Sequence, residues 1–280
     1  LLSKDIKFKD VGLLIVDEEQ KYRVSHKEAI KHFAHNVDVL TLTATPIPRT
    51  LEMSLTGIRD LSMITTPPEN RQPILTYVHE YDERAVAEAI RRELLREGQV
   101  FFVHNRVKDL EHFADKIRDL IPEARVVTAH GQMRDNQLEN VVNDFYDRKY
   151  DVLISTTIVE SGLDLPAVNT LIVDRADTLG LAQLYQLRGR VGRRGQRAYA
   201  YLFSPKNQAL SHLAYERLKT IGEFTELGSG FKIAMRDLEI RGAGSLLGDV
   251  QSGHIAAVGF DLYCEMVTEA IDELNGIEKE

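Results

Sequence analysis

Several features that mark secreted, membrane or strongly basic proteins are absent from this sequence. Its 280 residues contain one cysteine, Cys264, which excludes an intramolecular disulfide and agrees with a reducing compartment. No apolar run approaches the roughly 20 residues of a membrane helix. The N-terminal stretch LLSKDIKFKD lacks the pattern of a signal peptide. We therefore expect a cytoplasmic protein with no membrane partner.

Positive charge is also scarce, because 35 Lys and Arg residues stand against 43 Asp and Glu residues, for a net charge of -8. This balance argues against a protein that coats nucleic acid with its whole surface, but it permits a local basic stripe. Five arginines form such a stripe in a short stretch of the sequence: Arg188, Arg190, Arg193, Arg194 and Arg197.

What the sequence does contain is an alternation of short apolar runs with segments of helical period, such as 82–97. This alternation is typical of an α/β fold, in which helices cover both faces of a parallel sheet. The predicted strands span 12–16, 37–43, 74–78, 99–104, 125–130, 151–156, 169–174 and 198–203.

Two changes in composition divide the chain. The stretch TTPPENRQP (65–73) is rich in proline and predicts a linker. After Pro205 the strand pattern stops, and 207–227 predicts a helix followed by glycine-rich stretches. We expect this tail to be a separate helical appendage.

Three polar stretches carry chemistry. GLLIVDEEQ (12–20) predicts a buried strand that ends in carboxylates at the ligand-binding edge of the sheet, where Asp17 would hold Mg²⁺ and Glu18 would orient a water. A solvated strand end remains the alternative for this stretch. TATPIPRT (43–50) predicts a rigid polar turn, and QLRGRVGRRG (186–195) places arginines between glycines, a pattern suited to phosphate.

In order along the chain, DEEQ (17–20), TATP (43–46), VFFVHNRV (100–107), AHGQM (129–133), STTIVESGLDLP (155–166) and QLRGRVGR (186–193) resemble motifs II to VI of superfamily 2 helicases. FKIAMRDLEIRGAGSLLGDVQSGH (231–254) resembles the translocation motif shared by RecG-type helicases and the bacterial transcription-repair coupling factors (Mfd-type). Within that pair, DEEQ, AHGQM and the segment around QLRGRVGR are more similar to the coupling factors.

The resemblance implies a role for each matching position. Asp17, Glu18, Gln186, Arg190 and Arg193 would be catalytic, with Asp17 holding Mg²⁺, and Gly162 and Asp164 would lie near the nucleotide. Coupling of nucleotide state to movement is implied for Gln20, Thr43, Thr45, Arg241 and Gln251, although Gln20 stands where the family usually has His. Contact with the DNA backbone is implied for Asn105, Arg106, His130, Gly131, Thr156 and Thr157.

The implied organisation is half of a first RecA-like lobe (1–66), a linker (67–73), a complete second lobe (74–205) and a translocation-motif helical hairpin with a tail (206–280). No G-x-x-x-x-G-K-[ST] loop occurs in the sequence. We therefore expect a fragment of a larger motor that does not hydrolyse ATP by itself.

The activity that the resemblance implies for the larger protein is ATP- and Mg²⁺-dependent translocation on double-stranded DNA in transcription-coupled repair. Its partners would be RNA polymerase and nucleotide-excision repair proteins, bound through other domains. Two alternatives remain: a RecG-type helicase that remodels replication forks, and a non-catalytic module that binds nucleic acid or protein.

Overall fold

The computed structural model describes residues 10–18, 22, 30, 37–44, 62–64, 66, 71–157, 167–193 and 195–241. In chain order its strands and α-helices are β1 (Leu13–Asp17), β2 (Asp38–Leu42), β3 (Leu75–Glu80), α1 (Glu83–Leu95), β4 (Gln99–His104), α2 (Leu110–Leu120), β5 (Val126–Ala129), α3 (Asp135–Tyr146), β6 (Val152–Ser155), β7 (Val168–Asp174), α4 (Leu181–Arg188), β8 (Tyr199–Ser204), α5 (His212–Glu223) and α6 (Gly230–Arg241). In these ranges no helix is long and apolar enough to span a membrane.

All eight predicted strands are confirmed, and their ends differ from the prediction by no more than two residues. The predicted helix over 82–97 is α1, which begins one residue later because the side chain of Asp82 caps it by accepting the N–H of Arg84. Apolar residues at helical spacing, Val86 and Ile90 among them, turn one face of α1 to the core.

Six of the strands form one parallel sheet in the order β3-β8-β7-β4-β6-β5. Successive side chains of a strand point to opposite faces, so Phe101 and Val103 of β4 join one apolar cluster while Val100 and Phe102 join the other. Helices α1 and α2 cover the face of Phe102, and α3 to α6 cover the face of Phe101. The α/β class with helices on both faces is confirmed.

Strands β1 and β2 form a separate parallel pair in which Asp17 stands beside Leu42. The expectation that β1 is buried is wrong for most of its apolar residues. Val16 is buried, but Leu13 is 55% and Ile15 57% exposed. In the described residues β1 pairs only with β2, and two strands cannot bury both faces of a sheet, so this apolar run forms a strand but not a core strand.

The predicted appendage is not separate over its described part. Helix α5 begins at His212, after the cap Ser211, and its Leu218 and Ile221 join the same apolar cluster as Phe101. Helix α6 adds Ile233 to this cluster. An amphipathic helix buries its apolar face against the nearest core, which here is the sheet. Residues 242–280 lie outside the described ranges, so the predicted hairpin and the domain boundaries stay predictions.

Candidate functional site

A charged cleft of about 540 Å³ is formed jointly by the end of β1 and the loop after α4. Its lining includes the carboxylates of Asp17 and Glu18, and it also includes Gln186, Arg190 and Arg193. The fold thus brings together all the residues that the sequence predicts as catalytic. The cleft is also lined by residues 225–228, the turn between α5 and α6.

The carboxylate side of this charged cleft is fixed by backbone hydrogen bonds. The N–H of Glu18 donates to the carbonyl of Leu42 (2.8 Å), and Glu18 has φ of 51°, a left-handed conformation that is uncommon for a residue with a side chain. Its Oε1 accepts the N–H of Ala44 at 3.2 Å. The segment that begins TATP, with Thr43 beside Ala44, is therefore tied directly to the predicted water-orienting carboxylate.

The arginine side is carried by the arginine loop, which we define as residues 189–193 and 195–198. Gly192 shows why this loop needs a glycine: its φ is 74°, and a Cβ there would lie 2.6 Å from the Cβ of Ala198. The N–H of Gly192 donates to the carbonyl of Val168 at 3.2 Å. The loop is thus pinned to the amino end of β7 immediately before Arg193.

Arg71 is a lining residue that the sequence analysis missed. It lies in the predicted linker, and its Nη2 donates to the carbonyl of Gly189 at 2.7 Å. Burial and then the nearby charge of Arg193 lower the pKa of Arg71. Two guanidinium groups that repel each other beside a cavity are a fitting environment for the oxygens of a phosphate chain. An arginine among prolines gives no sequence signal for this role.

The carboxylates fit the metal that accompanies such phosphates. In the part of the chain that the structure describes, no group of three or more His, Cys, Asp or Glu side chains could hold a metal ion alone. Mg²⁺ does not need such a cage, because it keeps several waters and takes one or two carboxylates together with phosphate oxygens. Asp17 suits that kind of ligation.

Arg188 departs from the predicted basic stripe. It is only 3% exposed, and its Nη1 and Nη2 donate to the carbonyls of Ile221 (2.7 Å) and Phe224 (2.6 Å) at the end of α5. Burial lowers the pKa of Arg188 to about 10. Its two terminal nitrogens are therefore committed to backbone acceptors, and it ties α4 to α5 instead of joining the stripe.

A second predicted surface lies at the carboxyl ends of the neighbouring strands β4, β6 and β5. Asn105 and Arg106 follow β4 and are exposed, and Thr157, after β6, donates its hydroxyl to Oδ1 of Asn105 at 3.2 Å. His130 and Gly131 follow β5. Thr156 is an exception, because it is 3% exposed and does not reach this surface.

His104, the last residue of β4, lies directly before Asn105 and was not predicted as a site residue. Its Nδ1 lies 2.8 Å from Oδ2 of Asp174, across the neighbouring strand ends, and its ring stacks on Phe113 with centroids 4.3 Å apart. The pair fixes the end of β4 from which Asn105 and Arg106 project. Only the strand order places these groups together.

Some predicted site residues fall outside the described ranges: Gln20, Thr45, Gly162, Asp164 and Gln251. Arg241 is the last residue of α6, and only its backbone is described. Their roles stay predictions.

Comparison with known proteins places this geometry in a family context. Residues 84–195 match the helicase conserved C-terminal domain. The chain is 62% identical over 276 residues to the transcription-repair-coupling factor of Bacillus subtilis strain 168, covering 99% of this chain and 23% of that protein. It is 58% identical to the factor of Staphylococcus epidermidis, covering 100% of this chain and 24% of that protein. The chain thus spans about a quarter of the length of these relatives.

Solved structures are similar as well. RecG bound to a three-way DNA junction matches with a TM-score of 0.69 and 32% identity, over 96% of this chain and 35% of that one. The Saccharomyces cerevisiae Dbp5 variant L327V, bound to RNA and ADP BeF3, matches with a TM-score of 0.60 at 14% identity, over 84% of this chain and 64% of that one, and this likeness shows the fold alone. The six-stranded sheet is therefore the RecA-like C-terminal lobe of a helicase.

Proposed function

Because the chain belongs to the transcription-repair-coupling factor family, we propose that it is part of an ATP-dependent translocase on double-stranded DNA that displaces stalled RNA polymerase. The observation that carries this proposal is the charged cleft, in which carboxylates from β1 meet the arginines that follow α4. A protein that only binds nucleic acid has no physical need for both groups in one cavity. The RNA polymerase and the nucleotide-excision repair proteins would be bound by other domains.

The residues of the cleft divide the work of phosphoryl transfer. ATP supplies, when bound with Mg²⁺, a γ-phosphoryl group that is transferred to water. Asp17 would hold the metal, and Glu18, fixed by Ala44, would orient the attacking water. Arg190 and Arg193 would supply positive charge to the phosphate oxygens, and Gln186 would contact the same group. Gly162 and Asp164 are proposed to lie near the nucleotide on the basis of the resemblance alone.

The relatives favour the coupling factor over the RecG-type alternative. Identity to the B. subtilis factor is 62%, whereas identity to the RecG structure is 32%. Both classes act on DNA through its backbone, so the surface at the strand ends of β4, β6 and β5 suits either. We therefore keep fork remodelling as the second candidate.

The deciding experiment measures ATP-dependent displacement of a triplex-forming strand from duplex DNA by the full-length gene product. We expect displacement with ATP and none with a nonhydrolysable analogue. Arg241→Ala should retain more than about half of the DNA-stimulated hydrolysis and lose displacement by about tenfold or more, because lobe closure would no longer be passed to the DNA. Equal losses of both activities would contradict the coupling role, and no displacement by the wild type would contradict the translocase.

Arg106 provides a test of DNA contact. Its side chain is 62% exposed. Its Nη1 lies 3.9 Å from Oδ2 of Asp109, which is too far for a hydrogen bond, so the guanidinium is available to a phosphate. Arg106→Ala should reduce the slope of log K against log salt concentration by about 0.9, the value for one phosphate contact, with no change in sequence preference. Fluorescence anisotropy with duplex DNA at several salt concentrations measures this slope. Arg148→Ala is the control and should leave the slope unchanged, because Arg148 is exposed but precedes the amino end of β6, at the opposite end of the strands.

A further inference from the structure

Glu93, in the last turn of α1, carries a carboxylate that is fully buried against the sheet. A buried charge is costly unless other groups satisfy it. Oε2 of Glu93 accepts the hydroxyl of Thr170 at 2.6 Å, Oε1 accepts Nδ2 of Asn169 at 3.2 Å, and Arg96 donates to the same carboxylate. Both Asn169 and Thr170 lie at the amino end of β7. Glu93 therefore organises the strand end to which the arginine loop is pinned.

Asn169 and Arg96, which both bind Glu93, also form hydrogen bonds with the C-terminal part of the arginine loop. Nδ2 of Asn169 donates to Oε1 of Gln196 at 2.8 Å, and Nη1 of Arg96 donates to the carbonyl of Arg197 at 3.0 Å. The guanidinium of Arg92 lies 3.7 Å from the ring centroid of Tyr199, where β8 begins. These contacts hold residues 196–199 against the amino end of β7 and the C-terminal end of α1.

Hydrogen bonds to β7 lie both before and after Arg193 in the sequence. Before Arg193, the N–H of Gly192 is bonded to Val168, the residue next to Asn169. After it, Gln196 is bonded to Asn169 itself. Gly192 and Gln196, which lie on either side of Arg193, are therefore both bonded to the amino end of β7. The carboxylate of Glu93 binds Asn169 and Thr170 at the same strand end.

We propose that Glu93 is a positioning residue for Arg190 and Arg193: it orders the amino end of β7 and segment 196–197, so that the arginine loop presents its guanidinium groups to the charged cleft in one conformation. Glu93 itself is fully buried and does not line the charged cleft. This inference rests on the proposed function for its catalytic consequence, but not for its structural one.

The structural arm of the test uses the 280-residue chain. Glu93→Gln keeps the shape of the side chain and removes its charge, so amide hydrogen exchange at Gly192 should accelerate about tenfold or more relative to the amides of β4. Gln196→Ala, an exposed position that does not threaten folding, should accelerate the same amide in the same direction. Glu88→Gln makes the same charge change on the exposed face of α1 and should leave it unaltered.

The catalytic arm uses the full-length gene product. We expect Glu93→Gln to lower kcat for DNA-stimulated ATP hydrolysis about tenfold, with KM changed less than about twofold, because the arginines act on the transition state. Unchanged exchange at Gly192 in both Glu93→Gln and Gln196→Ala would overturn the proposal whatever the activity. If Glu93→Gln does not fold, Gln196→Ala alone decides. Absence of hydrolysis in the wild type would instead overturn the proposed function.

Discussion

Replacement of Arg193 by alanine in the full-length gene product is expected to leave nucleotide binding nearly intact and to slow ATP hydrolysis by about 10³-fold or more, the scale of a lost arginine finger. Arg193 lines the same cleft as Asp17 and Glu18. Its charge matters most when negative charge spreads over the transferring phosphoryl group, so turnover suffers more than binding. Arg71 is not expected to move into its place, because its Nη2 already donates to the carbonyl of Gly189 at 2.7 Å.

Steady-state hydrolysis with duplex DNA and titration with a fluorescent nucleotide separate these two effects. Arg193→Lys should recover only part of the rate, because an ammonium group lacks the planar fork of guanidinium. Arg197→Ala is the matched control, since it removes an exposed arginine from the same loop at a position that does not line the cleft. Near-normal turnover in Arg193→Ala would remove this residue from the site.

The strands and the cleft residues Asp17, Glu18, Arg190 and Arg193 could be predicted from the sequence, because both depend on local patterns. QVFFVH (99–104) is apolar at consecutive positions, as a strand buried on both faces must be, and all six of its residues are buried. Asp17 ends β1 and Glu18 follows it, and Arg193 directly follows Gly192, which has φ of 74°. In each case residue type and neighbours in the chain define the local structure.

The missed residues depend on contacts between distant parts of the chain. Arg71 meets the carbonyl of Gly189 across 118 positions, and Glu93 meets Thr170 across 77. Helical spacing from Val86 and Ile90 places Glu93 on the buried face of α1 and Glu88 on the exposed face, but only the strand order shows that Thr170 is the partner of Glu93. Arg188 shows the converse: it stands among the arginines of the stripe and lines the charged cleft, but its two terminal nitrogens donate to the distant carbonyls of Ile221 and Phe224.

Arg188 carries the largest expected effect on stability. Arg188→Ala should lower the free energy of unfolding of the 280-residue chain by about 3 kcal/mol, because it removes the donor of the buried Ile221 carbonyl, leaves the Phe224 carbonyl only the long hydrogen bond from the Ser229 hydroxyl (3.5 Å), and removes packing between α4 and α5. Urea unfolding followed by circular dichroism measures this change. Arg197→Ala should cost less than about 0.5 kcal/mol as an exposed control. Equal small losses in both variants would contradict a structural role for Arg188.

Arg188→Lys adds a dependence on pH that tests why arginine occupies this site. One ammonium group cannot reach both carbonyls as the two terminal nitrogens do, so we expect a loss of about 1–2 kcal/mol at pH 7. The burial that lowers the pKa of Arg188 to about 10 would also lower the pKa of a lysine there below its ordinary value of about 10.4. Between the lowered pKa of this lysine in the folded chain and its ordinary pKa in the unfolded chain, the unfolded chain binds more protons than the folded one, so stability rises with pH in that window. Arg188→Lys should therefore recover stability relative to the parent chain as the pH rises from 7 towards 10, and a constant difference over this range would show that the site does not desolvate its cation.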